Sequence, residues 1–344
     1  MKQNGKVLGE GSYGCVITPP VKCSNTPKQL SKIKSDKVVG KIFKDKEAFD
    51  KEIGPTSKVI KVDPKGEHLL LPMSYCTVDK TDIEKHPTAK KCKFLNEDNS
   101  YYYPNTTTYY QLTMPYGGIT LEQYIKTTKI SIKTLLQILI PCFEAILLLE
   151  KNKMCHMDIK INNILLKPNG KTVLIDYSLM KEFKEVYSEK NGHRLHHIYY
   201  PYPPEMLLYY YIHLNKCYNN NNCNKAIDIY DEEELASFGY KAEMNYKQFF
   251  SDLDIQKYLN LKLQEFIELE KRDKLNLLLL KNVNKVDIYS LGVSIVDCLE
   301  YTDNTMMNKT INKFIHYMIH PDVEKRYTPN QALTQLLRLI KYIN

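Results

Sequence analysis

The spacing of hydrophobic residues separates an early part of the chain, with strand-like alternation, from a later part with helical periodicity. In the early part, β-branched and aromatic residues alternate with polar residues or glycine, which is typical of half-buried strands. This pattern predicts a hairpin over residues 6–17 and strands over residues 37–44, 68–78 and 108–114. A helical pattern over residues 45–60 is broken at Gly54-Pro55, because proline lacks an amide donor and clashes inside a helix.

The stretch between the last two predicted strands, residues 79–107, is polar and rich in tyrosine. It is long for a loop within a compact domain, and we expect a hairpin that carries additional structure.

The character of the chain changes at residues 115–118, where Pro-Tyr-Gly-Gly predicts a turn. Helical periodicity follows over residues 120–126 and 131–151. The most apolar run, residues 135–149, contains Gln137 and Glu144, and it predicts a buried helix rather than a membrane span. The order of elements predicts an α+β fold with a small β-rich lobe followed by a larger helical lobe.

Charge and cysteine content limit the function classes. The formal net charge is +8 over 344 residues, spread along the chain as single lysines. This predicts a solvated basic surface, with attraction to acidic partners as the alternative. No basic segment interleaved with aromatic residues accompanies it, so no specific nucleic-acid partner is predicted. The nine cysteines show no C-x-x-C spacing, which predicts free thiols in a reducing, cytoplasmic environment.

A glycine-rich segment lies in the first predicted hairpin. Leu8 is followed by Gly9-Glu10-Gly11-Ser12-Tyr13-Gly14-Cys15-Val16. Glycines lack a Cβ atom, so backbone amides in such a segment can approach the oxygens of a phosphate group. Strand-like sequence on both sides argues against a dinucleotide-binding fold, in which a helix follows the glycines. A hairpin that merely contains glycine is the alternative.

The next predicted strand contains a lysine at the end of Val38-Val39-Gly40-Lys41. A lysine inside such a strand needs a partner for its charge. A surface lysine whose stem snorkels along the sheet is the alternative, and Lys44 competes for the same role.

The most specific motif is His156-Met157-Asp158-Ile159-Lys160-Ile161-Asn162-Asn163. A turn rich in Asp and Asn is the alternative. The sequence that follows predicts a strand, a Pro-Asn-Gly turn and a second strand that ends at Asp176-Tyr177-Ser178.

Together with Pro203-Pro204-Glu205, these motifs resemble the signature set of eukaryotic-type protein kinases, from about Val7 to the end of the chain. The resemblance implies a bilobal kinase fold with an N-lobe at residues 1–114, a hinge at 115–118 and a C-lobe at 119–344. Kinases need only a short connection between the equivalents of Glu205 and Asp287, so an insertion is expected within about residues 206–284. It includes the Asn-rich segment at residues 217–223 and a helical pattern at residues 252–280.

The resemblance assigns nucleotide-binding roles in the first part of the chain. The segment Leu8–Val16 would cover the ATP phosphates, with Val16 against the adenine. Lys41 would bind the α- and β-phosphates, held by the carboxylate of Glu52, with Glu47 left open as its competitor. Met114 would be the gatekeeper beside the adenine, and Gly117 would supply a hinge amide.

It also assigns the chemistry of transfer. Asp158 would orient the substrate hydroxyl and accept its proton, and Lys160 would neutralise charge on the transferred group. Asn163 and Asp176 would hold Mg²⁺, a hard cation that prefers oxygen ligands.

Two further residues distinguish protein kinases from small-molecule kinases of related fold. Asp287, in Val286-Asp287-Ile288-Tyr289-Ser290-Leu291-Gly292, would tether the catalytic-loop backbone. Arg326 would form a structural ion pair with Glu205. The chain departs from the family pattern at Met157, at Tyr177-Ser178 and at Pro203, where arginine, Phe-Gly and alanine are usual.

The resemblance implies an ATP- and Mg²⁺-dependent serine/threonine kinase that acts on proteins, because Lys160 lies two residues after Asp158. Its size, composition and insertion resemble kinases of large DNA viruses, which implies a host-cell cytoplasmic or virion location. A pseudokinase scaffold and a small-molecule kinase are the alternatives. Neither the oligomeric state nor the substrate is predicted.

Overall fold

The computed structural model describes residues 5–11, 14–32, 37–96, 107–188, 201–214, 246–250, 253–303 and 309–342. The chain forms two compact units. The first comprises Met1–Ile119, Lys167–Asn169 and Val173–Leu179, and the second comprises Thr120–Leu166, Gly170–Thr172 and Met180–Asn344. The first unit therefore extends beyond the predicted N-lobe, because it also takes in the segment that carries Asp176.

The first unit is built on a six-stranded sheet with the strand order β1-β2-β4-β6-β5-β3, and all neighbouring strands are antiparallel. The strands are β1 Lys6–Gly11, β2 Gly14–Thr18, β3 Lys28–Gln29, β4 Val38–Phe43, β5 Ser74–Asp79 and β6 Thr108–Pro115. The predicted hairpin and the predicted strands at β4 and β6 are confirmed. The strand predicted at residues 68–78 begins only at Ser74, since Pro72 cannot donate to a sheet, and β3 was not predicted.

The helices of this unit are α1 Lys46–Ile53, α2 Thr56–Val62, α3 Lys80–Lys85 and α4 Lys93–Asn96, with a 3-10 turn at Ala89–Lys91. The predicted break at Gly54-Pro55 separates α1 from α2. Asp79 pairs with Thr108 across β5 and β6, so α3, the 3-10 turn and α4 decorate a hairpin, as predicted.

Strand alternation gives the sheet two different faces. Val16 is paired with Lys41, and Lys41 with Leu112, so these three side chains share one face. Helix α1 packs on that face, where the ring of its Phe49 stacks on Tyr110 with centroids 5.2 Å apart.

The opposite face carries the neighbours of those residues. Cys15 is paired with Ile42, and Ile42 with Gln111. A buried cluster on this side combines strand residues with residues of the decorated hairpin, including Ile83, Ala89 and Cys92.

The expectation that the cysteines are free thiols is wrong for four of them. Disulfides join Cys15 to Cys92 and Cys23 to Cys76, over sequence separations of 77 and 53 residues. The tertiary packing of distant segments brings these cysteines together, so no short spacing in the sequence indicates the pairs. Among the described residues, Cys142, Cys155 and Cys298 are free and buried. The remaining two, Cys217 and Cys223, lie outside the described residues.

The second unit is mostly helical, which together with the sheet of the first unit confirms the predicted α+β fold class. Its helices are α5 Leu121–Thr127, α6 Ile132–Ile138, α7 Ile140–Lys151, α8 Phe183–Val186, α9 Pro204–Leu214, α10 Ile255–Glu270, α11 Leu275–Asn282, α12 Val286–Leu299, α13 Lys309–Met318 and α14 Pro329–Tyr342. A 3-10 turn at Val283–Lys285 precedes α12. The remaining strands among the described residues are β7 Ile119–Thr120, β8 Ile130–Ser131, β9 Met154–Cys155, β10 Ile164–Leu166, β11 Thr172–Leu174, β12 Lys181–Glu182 and β13 Thr302–Asp303.

The helix predicted over residues 131–151 is divided at Leu139, because Pro141 lies in the first turn of α7 and cannot donate an amide to a preceding turn. By length and composition alone, the segment Ile132–Lys151 could cross a membrane, which does not contradict the prediction of a buried helix. Half of that stretch is buried within the protein, and the core helix of a soluble protein meets the same criterion.

The predicted insertion at residues 206–284 is not a single loop. It contains most of α9, whose Met206 and Leu208 are buried, and all of α10 and α11. Helix α10 buries one face through Leu259, Leu263 and Phe266. The Asn-rich segment at residues 217–223 lies outside the described residues.

Candidate active site

Lys41 lies at the centre of the predicted nucleotide-binding residues of the first unit. Its ammonium Nζ is 2.9 Å from Glu52 Oε1 and 3.6 Å from Asp176 Oδ2. The side chain is only 15% exposed, so the charge is largely removed from water. Lys41, rather than Lys44, is therefore the lysine paired with the predicted carboxylates.

Helix α1 positions Glu52. The carboxylate of Asp45 caps its N-terminus by accepting hydrogen bonds from the amides of Glu47 and Ala48, both 3.0 Å long. Residues three apart share a helix face, so Phe49 and Glu52 both point inward. Glu47 points outward and pairs with Lys51 at 2.7 Å, which answers the question that the sequence left open.

One ammonium thus faces two carboxylates. Burial disfavours the charge of Lys41, but Glu52 and Asp176 outweigh burial and raise its pKa. For Glu52, burial is the largest effect, and with repulsion from Asp176 it outweighs Lys41 and raises the pKa to about 7. Glu52 therefore gains a proton as the pH falls through about 7, whereas Lys41 keeps its positive charge.

Local hydrogen bonds hold the Asp176-Tyr177-Ser178 segment. The Ser178 hydroxyl donates to Asp176 Oδ1 at 2.7 Å. The buried Tyr177 hydroxyl lies 3.0 Å from the Leu70 carbonyl and 2.9 Å from the Leu174 carbonyl. Asp176 itself has a φ of 66°, a left-handed conformation that aspartate tolerates better than most residues. The sequence showed that Phe-Gly is replaced here, but not that the replacements bond to the aspartate and the nearby backbone.

The glycine-rich segment forms the β1–β2 hairpin. A Cβ atom at Gly14 would lie 2.7 Å from the Ile42 carbonyl oxygen, so the close approach of the strands requires glycine. Nothing lies within 4 Å of a Cβ built at Gly9 or Gly11. The side chains of Cys15 and Val16 point to opposite faces of the sheet. Only the backbone of Cys15 could therefore contact a nucleotide, as the prediction requires. Ser12 and Tyr13 lie outside the described residues.

The remaining nucleotide-binding candidates lie along the same sheet. Leu8 is within β1, and Glu10, also in β1, pairs across the hairpin with Cys15. Met114 is paired with Val39 on the Lys41 face of the sheet, and Gly117 is buried just after β6. Nothing in the geometry tests their contacts with a nucleotide.

The second unit contains the predicted catalytic residues around Asp158. Asp158 is only 4% exposed. The Asn163 side-chain amide donates to its carboxylate at 2.7 Å and to its backbone carbonyl at 2.9 Å, and Lys160 Nζ lies 3.1 Å from the carboxylate. These bonds fix the orientation of the carboxylate. Because the nitrogen of the Asn163 amide faces Asp158, its oxygen is the atom suited to a cation.

Asp287 supports the backbone of this catalytic loop. Its carboxylate accepts hydrogen bonds from the amides of His156 at 2.7 Å and Met157 at 3.0 Å, which confirms the predicted tether. Burial raises the pKa of Asp287, whereas His156 and the two backbone hydrogen bonds favour the charged form. Met157 is 1% exposed with a φ of 68°, so the residue in place of arginine is a core residue.

The predicted ion pair between Arg326 and Glu205 is confirmed. It is bidentate, with Nη1 to Oε1 at 2.7 Å and Nη2 to Oε2 at 3.0 Å, and both residues are buried. The guanidinium also lies over the ring of Tyr289, 4.8 Å from the centroid. The Tyr289 hydroxyl bonds at 3.0 Å to that of Tyr246, which comes from the predicted insertion. No sequence pattern indicates that Tyr246 reaches this cluster.

Comparison with known proteins identifies the family. The sequence matches the protein kinase domain family over residues 89–337, which is well over half of the chain. The chain belongs to the protein kinase family. The matched range begins after Lys41 and Glu52, so in this kinase their place in the site rests on motif and geometry. A search of curated proteins gave no significant match.

The raised pKa of Glu52 predicts an acid limb in the pH profile of this kinase. Protonated Glu52 cannot hold Lys41 by charge, so kcat/KM should fall as the pH drops from 8 to 6 through about 7. Glu52→Gln should be poorly active and lack this limb. Glu47→Gln, at an exposed position of the same helix, is the matched control and should keep the wild-type profile. A wild-type acid limb in Glu52→Gln would assign the titration to another group.

The pH dependence of stability should have the opposite sign. The folded protein binds the Glu52 proton more tightly than the unfolded chain, whose pKa is 4.5. The stabilisation by this proton is full below pH 4.5 and is lost as the pH rises through 7. At about 1.4 kcal/mol per pKa unit its upper limit is roughly 3.5 kcal/mol. Urea unfolding of wild type and Glu52→Gln at pH 5 and pH 8 measures the difference.

The Tyr246–Tyr289 pair should behave as a unit in a double-mutant cycle. Tyr246→Phe or Tyr289→Phe alone leaves a buried hydroxyl without its partner, at a cost of roughly 1–3 kcal/mol in the free energy of unfolding. The double variant removes both hydroxyls, so its loss should be smaller than the sum of the single losses. Tyr342→Phe, at a position 82% exposed, serves as control. Strictly additive losses would show that the two hydroxyls do not interact.

Proposed function

We propose that the chain is an active, ATP- and Mg²⁺-dependent serine/threonine protein kinase. The observation that carries the proposal is the arrangement around Asp158, whose buried carboxylate is oriented by both Lys160 and Asn163. A carboxylate held in this way suits a general base that positions a hydroxyl and accepts its proton.

The donor set fits magnesium. Asp176 offers carboxylate oxygens and Asn163 offers an amide oxygen, which are the ligand types that Mg²⁺ prefers. When bound, the cation would neutralise charge on the ATP phosphates. Lys41 would contribute a positive charge to the same phosphates, and Glu52 would hold the lysine in place. The glycine-rich hairpin would offer its backbone amides, because its glycines leave them accessible.

Lys160 supports the preference for serine and threonine. It follows Asp158 by two residues, as the resemblance to serine/threonine kinases requires, and its ammonium lies beside the carboxylate that would receive the proton. A protein rather than a small molecule as substrate is supported by the Glu205–Arg326 pair and by Asp287, which small-molecule kinases of related fold normally lack.

The pseudokinase alternative predicts nucleotide binding without turnover. Against it, Lys41, Glu52, Asp158, Asn163 and Asp176 are all present, and within each unit they contact the expected neighbours. Phosphorylation of a basic protein and of degenerate Ser/Thr and Tyr peptide libraries by the purified wild type would separate these functions.

Asp158→Ala should abolish transfer while MgATP binding is retained. Removing a positioned base typically lowers the rate by roughly 10²–10⁴-fold. Radiolabelled transfer and calorimetric MgATP binding measure the two effects on the same protein. Glu268→Gln, whose residue pairs with Lys271 on the exposed side of α10, should match wild type in both. Undiminished phosphorylation by Asp158→Ala would remove Asp158 from the mechanism.

The kinase should not require phosphorylation of its activation segment. Where such phosphorylation activates a kinase, the arginine at the position of Met157 commonly grips the phosphate through paired hydrogen bonds. Buried Met157 offers no charge. Tyr187, one of the few hydroxyl residues of the segment, is itself 2% exposed, and residues 189–200 lie outside the described residues.

The test is kinase activity before and after exhaustive phosphatase treatment, with mass spectrometry to confirm that the segment is unmodified. We expect unchanged activity. A loss that is reversed by rephosphorylation at Tyr187 or Ser188 would contradict this expectation.

A further inference from the structure

The decorated hairpin between β5 and β6 covers the face of the sheet that points away from Lys41. Its α3, 3-10 turn and α4 supply Ile83, Ala89, Cys92 and Leu95 to the buried cluster on that face. All four side chains are at most 6% exposed. The hairpin therefore forms a packed second layer behind the strands that carry the glycine-rich segment.

Two direct links join this layer to the glycine-rich hairpin. The Cys15–Cys92 disulfide attaches β2, with a Cα–Cα distance of 6.3 Å. The backbone amide of Lys93 donates a hydrogen bond to Glu10 Oε1 at 2.8 Å, which attaches β1. Adjacent residues, Cys92 and Lys93, thus hold both strands of the hairpin. We name residues 92–93 the brace.

The brace lies on the face of the sheet opposite the one that carries Lys41. Side chains alternate along a strand, so Cys15 points toward the brace and Val16 toward the face that carries Lys41. The disulfide therefore fixes the backbone of β2 without occupying the face where a nucleotide would lie.

We propose that the brace is a positioning element for ATP, which holds the glycine-rich hairpin in its phosphate-binding conformation before the nucleotide arrives. The proposal rests on the proposed ATP-dependent function. Glycine has more backbone freedom to lose than any other residue, and the positions of Gly9 and Gly11 are otherwise open. Fixing both strands in advance lowers the entropy lost on binding and so increases affinity.

The second disulfide provides a matched control. Cys23–Cys76 lies in the same cluster but joins the segment after β2 to β5, so it does not cross-link the glycine-rich hairpin. Its removal also deletes a long-range cross-link, with a comparable cost to folding. Both variants should lose stability, so a loss of ATP affinity only in the variant without Cys15–Cys92 would show that the brace positions the nucleotide site.

The experiment compares Cys15→Ala/Cys92→Ala with Cys23→Ala/Cys76→Ala, both purified without reductant. MgATP affinity is measured by calorimetry, KM for ATP and kcat by kinetics, and folding by the melting temperature. We expect the first variant to show about a tenfold rise in Kd and in KM for ATP, with kcat at saturating ATP little changed. The second should lose a similar amount of thermal stability but keep its ATP affinity within about twofold.

Glu10 provides an independent test of the second link. Glu10→Ala removes the acceptor for the Lys93 amide and should raise KM for ATP, whereas Glu10→Gln retains an acceptor oxygen and should restore wild-type KM. Equal KM values for the two variants would show that the Lys93 contact has no part in positioning.

The outcomes distinguish the proposals. Wild-type protein that does not bind MgATP contradicts the proposed function. Wild-type binding with equal affinity in Cys15→Ala/Cys92→Ala overturns the brace alone.

Glu10, Cys15 and Cys92 also place three ligand atoms within 4.8 Å of one another. Peptide mapping of non-reduced protein and elemental analysis check the disulfide, and a bound metal ion in its place would likewise overturn the proposal.

Discussion

A charge that is buried in a protein has to be compensated, and this constraint determines much of the structure. Lys41 is satisfied by Glu52 from α1 and by Asp176. Asp287 is satisfied by two backbone amides, and Glu205 by Arg326. Removing one partner of such a pair typically costs roughly 3–5 kcal/mol, because the other charge stays buried. Each compensation joins segments far apart in sequence, so the same contacts that orient the catalytic groups also specify the chain topology within each unit.

Strand alternation is the second constraint. Cys15 and Val16 are neighbours in sequence, yet one belongs to the disulfide-linked layer and the other to the face with Lys41. A register shift of one residue would exchange the two faces, so register in this sheet decides function as well as packing. Buried Gln111 helps to fix it, because its side-chain amide exchanges hydrogen bonds of 2.8 and 2.9 Å with the backbone of Val21.

The parts of the site that the sequence predicted are those that short motifs encode. The contacts of Asp158 with Lys160 and Asn163 join residues at most five apart, so a short motif is enough to encode them. The choice of Glu52 over Glu47 could be made only with the structure, because it depends on which face of α1 is buried. The disulfides, β3 and the Tyr246–Tyr289 bond join distant segments without a recognisable local pattern. Sequence periodicity identifies which face of an element is buried, but not which distant residue covers it.

The departures from the kinase pattern share a physical logic. Ser178, in place of glycine, gives up backbone freedom but supplies a hydroxyl to Asp176. Tyr289 offers an aromatic face to Arg326 and a buried hydroxyl that bonds to Tyr246. Met157 exchanges a charge for a buried apolar contact. Ser178 and Tyr289 thus each have a hydrogen-bond partner inside the protein, and Met157 is buried in the core. Such substitutions favour a kinase whose catalytic groups are held by its own packing.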